Sequence, residues 1–351
     1  TRLHIPINGT FELTPLCNMD CRMCFIRLNR QEMDPVGSIV TTQHWLELAK
    51  DAKKAGTMFI LLTGGEPLLH PDFKTIYQGL RKLGMILTIN TNGTLIDREF
   101  ACMLGQDKPR RVNITLYGAS NESYNRICHN PNGFDQVMNG IKLLMEQKVD
   151  IKLNGTLTPD NANETESLIQ IAEDLGLYLK IDTYLYPAHR ERIHPFDESR
   201  RLNAWEAANR NLQIKRRQLP AEEYAAYRKY MLDMEEKGAS SLSRPDACRN
   251  MDCRAGKSAF WITWHGKMTP CVFMDTPSCD VFQSGFEKSW EELLEKTARI
   301  RLPKECGTCP MRHCCQICAA SACLETDHYH KKPNYMCEYT HTLLEIMRKE
   351  E

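Results

Sequence analysis

"TPLCNMDCRMCFIR" (residues 14–27) places Cys17, Cys21 and Cys24 in one short loop, with gaps of three and then two residues and no fourth cysteine before Cys102. A closed structural metal site wants four ligands, and this loop offers three. The loop follows from "TFELTPLC" (10–17), the first of six segments rich in β-branched and apolar residues. The others are "TMFILLTGG" (57–65), "MILTINTNG" (85–93), "RRVNITLYG" (110–118), "VDIKLNGTL" (149–157) and "YLKIDTYLYP" (178–187). Each ends in polar or glycine punctuation and reads as a buried strand. Between them, "TQHWLELAKDAKKAG" (42–56), "FDQVMNGIKLLMEQK" (134–148) and "NETESLIQIAEDLG" (163–176) carry apolar residues at helical spacing. Alternating strands and helices predict an α/β fold with a parallel sheet, coiled toward a barrel or open and doubly wound. Either form binds ligands at the carboxyl ends of the strands. The three cysteines follow strand one and "TGGEP" (63–67) follows strand two, so both lie on that mouth.

The rest of the composition narrows the function. The chain has 351 residues, 42% of them hydrophobic, enough for a sizeable core. Lysine plus arginine balances aspartate plus glutamate at 45 each, so no overall field draws it to nucleic acid or an acidic membrane. No apolar run approaches a membrane span, and "TRLHIPINGT" (1–10) lacks a signal-peptide core, so the cytoplasm is expected. The 16 cysteines fall unevenly: three in the opening loop, Cys102 and Cys128 alone, and eleven between Cys248 and Cys337. A secreted disulfide framework suits small domains that cannot build a core, and this chain can build one. Zinc would suit Cys306-x2-Cys309 with Cys315-x2-Cys318 taken alone, but not the opening loop. Past Pro195 the rhythm breaks, and "ESRRLNAWEAANRNLQIKRRQLPAEEYAAYRKYMLDMEEKG" (198–238) reads as a helical bridge interrupted at Pro220 and ended at Gly238. Its "KRR" (215–217) reads as a solvated helix face.

Cys17, Cys21 and Cys24 on the mouth beside "TGGEP" resemble the radical S-adenosylmethionine (SAM) enzymes, whose C-x3-C-x2-C loop follows strand one of a partial (β/α)6 TIM-type barrel. The resemblance implies a [4Fe–4S] cluster held by the three thiolates, with its fourth iron open to the amino and carboxylate groups of SAM. Reduction of the cluster then cleaves SAM to a 5′-deoxyadenosyl radical that abstracts a substrate hydrogen. It further implies that Gly64, Gly65 and Pro67 shape the methionyl site and that Glu66 accepts hydrogen bonds from the SAM ammonium. Asn90 and Asn92 of "INTNG" would meet the ribose or substrate, and Asn154 and Thr156 would close the adenosine side. The chain departs from common relatives in Met23, where an aromatic residue often precedes the third cysteine, and in "TLYG", where Tyr117 replaces an aspartate. Met23 can still cover the adenine. Tyr117 is a candidate proton or electron relay.

The tail resembles the SPASM extension of these enzymes, which holds two auxiliary [4Fe–4S] clusters. The resemblance assigns Cys248, Cys253, Cys271 and Cys318 to the inner cluster and Cys306, Cys309, Cys315 and Cys337 to the outer one. The interval before Cys318 is one residue short of the family pattern, which leaves Cys314 and Cys323 as possible substitutes. The implied domains are a radical SAM partial barrel (1–195), the helical bridge (196–245) and a SPASM domain (246–351). An auxiliary cluster beside a substrate radical can take up one electron and complete a two-electron oxidation. SPASM enzymes favour peptides, which makes peptide crosslinking, epimerisation or oxidation the leading expectation. A small-molecule or cofactor precursor such as a tetrapyrrole is the alternative, and a non-catalytic iron–sulfur electron carrier is the competing class. Expected partners are the substrate, a reductant such as flavodoxin or ferredoxin, and a separate leader-peptide-binding protein, since no leader-binding domain precedes the first strand.

Overall fold

Strand order decides which face of the sheet is free. The computed structural model describes residues 4–187, 196–240, 251 and 253–350. Strands β1 (Asn8–Glu12), β2 (Phe59–Thr63), β3 (Ile86–Thr91), β4 (Arg111–Leu116), β5 (Ile151–Thr156) and β6 (Leu179–Asp182) lie side by side in chain order, every neighbouring pair parallel. A doubly wound sheet must reverse its strand order to place helices on both faces, whereas right-handed crossovers that always advance one way place them all on one. The sheet is therefore of the barrel type, and it stays open, with β6 at one edge. Alternation follows from this arrangement. Ile60, Leu62, Leu87, Ile89, Val112, Ile114 and Leu153 are buried, while Thr88, Asn90, Asn113, Thr115, Asn154 and Thr156 alternate with them on the half-buried opposite face. The helices Thr42–Lys54, Phe73–Lys82, Arg98–Gln106, Gly133–Glu146 and Thr165–Asp174 bring apolar stripes to the same core.

The structure corrects three readings of the sequence. β1 begins at Asn8 and ends at Glu12, so residues 13–17, expected within the strand, already belong to the mouth. The 246–351 segment adds strands to the barrel sheet: β7 (Ala259–Ile262) pairs in parallel with β1, and β8 (Lys267–Thr269) and β9 (Cys279–Asp280) continue antiparallel, giving nine strands among the described residues. The bridge forms two helices, Ala204–Gln218 and Ala221–Ser240, broken at Pro220, and Gly238 lies inside the second helix instead of ending it. A Cβ on Gly238 would stand 1.8 Å from the Pro310 carbonyl oxygen, so this glycine serves close packing against the cysteine-rich segment. In the "KRR" run, Arg217 pairs with Glu166 and Glu173, Arg216 with Glu350, and the Lys215 ammonium lies 4.5 Å from the centre of the Tyr227 ring.

A smaller core of Met251, Ala255, Met274, Ile300, Leu302, Ala319 and Ala320 lies under the C-terminal loops, with Cys271 and Cys318 packed against it. All fifteen described cysteines are free thiols, and Cys248 lies outside the described residues. No helix among the described residues is long and apolar enough to cross a membrane.

Candidate active site

The two mouth loops are joined backbone to backbone. Leu13 donates to the Thr63 carbonyl (2.8 Å), Gly65 to Thr14 (2.8 Å) and Glu66 to Leu16 (2.8 Å). A Cβ on Gly64 would lie 2.4 Å from the Thr14 oxygen, and one on Gly65 would lie 2.5 Å from those of Pro15 and Leu16. The glycines are thus required first by the cysteine loop itself. Both also line a cavity of about 240 Å3, together with Cys21, Met23, Cys24, Phe25, Asn90, Asn92, Tyr117 and Thr156. Asn154 is on the same face of β5 as Thr156 but two residues deeper, outside the lining, and Pro67 is buried at the start of the turn Pro67–Leu69.

Each cysteine of the loop has its own environment. The Cys17 sulfur accepts from the Met19 amide (3.4 Å) and from Asn92 Nδ2 (3.7 Å), and the Cys24 sulfur accepts from the Arg27 amide (3.3 Å). Cys21 pairs with Cys128 and Tyr117. Burial pushes the Cys17 thiol up to about 12, and the hydrogen bond with Cys128, followed by burial, raises the Cys21 thiol. Buried thiols of this kind keep their protons unless a cation lies among them, and iron reverses the balance by stabilising the thiolates. The amide donors aimed at Cys17 and Cys24 suit sulfurs that carry negative charge. The residues fit an iron–sulfur cluster held by three ligands beside an open cavity.

Glu66 is fully buried, and its carboxylate accepts from the Leu68 amide (3.1 Å), Thr91 Oγ1 (2.8 Å) and the Asn92 amide (2.8 Å). Burial outweighs these donors and lifts the carboxyl to about 7. Glu66 therefore anchors the end of β3 and is not itself part of the cavity lining. Asn92, held by Glu66 through its amide, donates its side chain to Asn18 Oδ1 (2.9 Å), while Asn90 accepts from Asn113 (2.7 Å). The burial of Thr91 escaped the sequence reading. Cys128 ends the helix Asn121–Cys128, whose last carbonyls receive the Asp20 and Arg22 amides of the cysteine loop (3.0 and 3.1 Å), a pairing without a local sequence signal.

Two further groups of cysteines form in the C-terminal part. Cys306, Cys309, Cys315 and Cys337 surround a cavity of about 220 Å3. Burial and the neighbouring sulfurs push Cys306 up to about 12, and burial also raises Cys337. Cys318, grouped with the first three in the zinc reading, is elsewhere: it caps the helix Ala319–Thr326, accepts from the Ser321 amide (3.4 Å) and contacts the Tyr186 phenol, which also faces Cys271. Cys253 is exposed, and Cys248 lies outside the described residues. The Cys314 thiol donates to the Met231 carbonyl (3.2 Å), and Cys323 contacts Tyr329. Among the described residues no three of His, Cys, Asp and Glu converge on a single metal ion.

Residues 11–172 match the profile of the Radical SAM superfamily, so this part of the chain is a radical SAM domain. That domain implies a [4Fe–4S] cluster and SAM. Over its length the chain is similar to the AdoMet-dependent heme synthase of Methanosarcina barkeri, with 24% identity over 339 residues that cover 94% of this chain and 95% of that protein. Among solved structures it resembles Streptococcus suis SuiB bound to precursor peptide SuiA (16% identity, TM-score 0.69, covering 95% of this chain and 76% of that one). It also resembles anSMEcpe with bound AdoMet and Cp18Cys peptide (18% identity, TM-score 0.70, covering 98% and 100%). At these identities the structural likeness establishes the fold.

Proposed function

We propose that the protein is an oxidative radical SAM enzyme with two auxiliary iron–sulfur clusters in a SPASM-type C-terminal region. The observation that carries the proposal is the backbone pairing of the loop that bears Cys17, Cys21 and Cys24 with the glycine turn at the carboxyl ends of β1 and β2, where Cys21, Cys24, Gly64 and Gly65 line a cavity of about 240 Å3. When bound, the three-ligand cluster supplies the electron that splits SAM into methionine and a 5′-deoxyadenosyl radical. The chain's own residues hold and orient. Gly64 and Gly65 present backbone to the methionyl group, and Glu66 holds Asn92 in place with acceptor capacity left on Oε2 for the ammonium. Met23 covers the adenine, and Asn90, Asn92 and Thr156 face the sugar and substrate, with Asn154 behind them. Tyr117, half-buried in the cavity wall beside Cys21, is the proton or electron relay. Cys306, Cys309, Cys315 and Cys337 hold the outer auxiliary cluster; Cys271 and Cys318, with Cys248 and Cys253, hold the inner one. A carrier of electrons alone needs no open iron beside a cavity.

The favoured substrate is a cofactor precursor of the tetrapyrrole class, because the Methanosarcina barkeri heme synthase matches this chain nearly end to end. Peptide modification, with a separate leader-binding protein, is the reading the SPASM pattern first suggests, and its structural neighbours support the fold alone. A flavodoxin or ferredoxin would deliver the electrons. The test is anaerobic incubation of reconstituted protein with SAM, a reductant, and either a propionate-bearing iron tetrapyrrole or a candidate precursor peptide. The expected result is 5′-deoxyadenosine in step with a mass change of the tetrapyrrole, abolished by Cys24→Ala. A change in the peptide alone would reverse the choice of substrate, and absence of 5′-deoxyadenosine would overturn the enzyme assignment.

A further inference from the structure

Both polar atoms of the Asn92 side chain are engaged in or beside the cysteine loop. Asn92 follows β3 and is 5% exposed, and its backbone amide donates to Glu66 Oε2 (2.8 Å). Its Oδ1 accepts from the Thr94 amide (3.0 Å) and from Thr94 Oγ1 (2.7 Å). Its Nδ2 donates to Asn18 Oδ1 (2.9 Å) and to the Cys17 sulfur (3.7 Å). Asn18 Nδ2 donates in turn to Thr94 Oγ1 (2.8 Å). Asn18, Asn92 and Thr94 thus close a ring of hydrogen bonds between the cysteine loop and the end of β3.

The ring decides which end of the amide faces the sulfur. An asparagine can turn either its oxygen or its nitrogen to a neighbour, and only the partners distinguish the two. The Thr94 backbone N–H can only donate, so the atom it meets is the oxygen, and the nitrogen is left toward Asn18 and Cys17. The Met19 amide reaches the same sulfur (3.4 Å). In its thiol form Cys17 itself donates to Asn18 Oδ1 (4.0 Å), a contact that ends when a metal replaces the proton. Met19 and Asn92 then remain as the donors. The Met19 donor is backbone of the loop, which any residue but proline supplies, whereas the Asn92 donor depends on its side chain. Asn90, which lines the same cavity, accepts from Asn113 (2.7 Å) instead.

We propose that Asn92 is a positioning residue of the three-thiolate site: its side-chain amide donates to the Cys17 sulfur and thereby raises the reduction potential of the cluster that Cys17, Cys21 and Cys24 hold. The inference rests on the assignment of that cluster to these cysteines. A donor on a ligand sulfur stabilises the more negative, reduced state, which is a leading means by which a protein tunes such a group. Glu66 fixes the donor through the backbone and Thr94 through the amide oxygen, so the nitrogen has little freedom to swing away from the sulfur. Serine in place of Asn92 keeps a short side-chain oxygen that can accept from the Thr94 amide and loses the nitrogen that reaches Cys17.

The experiment is a redox titration of the reconstituted full chain, followed by electron paramagnetic resonance, with iron and sulfide counted on the same samples. The step of this cluster is recognised as the one whose spectrum changes when SAM is added, since SAM binds the iron that three ligands leave open. Asn92→Ser is expected to move that step to more negative potential at an unchanged iron content, and Asn92→Ala to move it in the same direction. Asn18→Ala is expected to leave the step in place, because Thr94 still orients the Asn92 amide. An unmoved step in Asn92→Ser overturns the proposal. So do equal shifts in Asn92→Ser and Asn18→Ala, which would report a general loosening of the loop, and so does loss of the cluster from both Asn92 variants, which would leave Asn92 a purely structural part. Cys17→Ala separates the two levels of the argument. Should it lower the iron count while Asn92→Ser moves no step, the role of Asn92 falls and the cluster assignment stands. If Cys17→Ala retains all the iron, the assignment itself falls and takes the role of Asn92 with it.

Discussion

Glu66→Gln keeps the size and shape of the fully buried side chain but removes its titration. In the folded protein burial lifts the Glu66 carboxyl from 4.5 to about 7, in spite of the three donors from Leu68, Thr91 and Asn92. A carboxyl whose folded pKa lies above its unfolded one binds protons more tightly in the folded state. Its contribution to stability is fully present below 4.5 and is lost as pH rises through about 7. At roughly 1.4 kcal/mol per pKa unit, the wild type loses about 2 to 3 kcal/mol from this group between about pH 5 and pH 8. The glutamine variant has no such group, so its stability relative to wild type should improve by that amount over the same interval. Urea denaturation of cluster-free protein at several pH values measures the difference, and titrations common to both proteins cancel. A difference that stays flat within about 0.5 kcal/mol would refute the claim that burial dominates the three hydrogen bonds. The same variant should bind SAM more weakly at neutral pH, because a neutral amide replaces the anion proposed to meet the ammonium.

Gly65→Ala places a Cβ about 2.5 Å from two carbonyl oxygens of the cysteine loop, so it should lower the iron retained after reconstitution, with far-ultraviolet circular dichroism unchanged. Cys337→Ala should remove one cluster's iron, whereas Cys314→Ala, whose thiol is engaged by the Met231 carbonyl, should leave the count intact; iron analysis of the two variants side by side checks this. Arg201→Ala removes the charge partner of Glu325, leaving the carboxylate with the Tyr184 hydroxyl as donor in a site where the ion-pair side chains are 5% and 8% exposed. The expected cost is about 3 to 5 kcal/mol in denaturant unfolding.

Much of this architecture is local in origin and so was legible. Segments such as "MILTINTNG" and "VDIKLNGTL" carry their period-two alternation within a few residues, and the structure places β3 and β5 inside them. Cys17, Cys21 and Cys24 are visible because their spacing is local, and they stand at the mouth because β1 ends just before them. Strand boundaries, Gly238 and the attachment of β7 to β1 depend on distant partners. Ala259–Ile262 could be read as a strand, but nothing within it names Asn8–Phe11 as its neighbour. In the same way Glu66 was legible as a carboxylate in a glycine turn, while its role in fixing Thr91 and Asn92 depends on the neighbouring strand.

The sequence by itself determined the parallel α/β core, the three-thiolate loop and the glycine turn beside it, because apolar periodicity and short ligand spacing are written within single segments. Tertiary structure alone decided that β7 pairs with β1, that Glu66 fixes Thr91 and Asn92, and that the carbonyls ending the helix Asn121–Cys128 receive the Asp20 and Arg22 amides. Those contacts join residues tens to hundreds of positions apart, and only the packing of whole elements around a shared core brings them within reach.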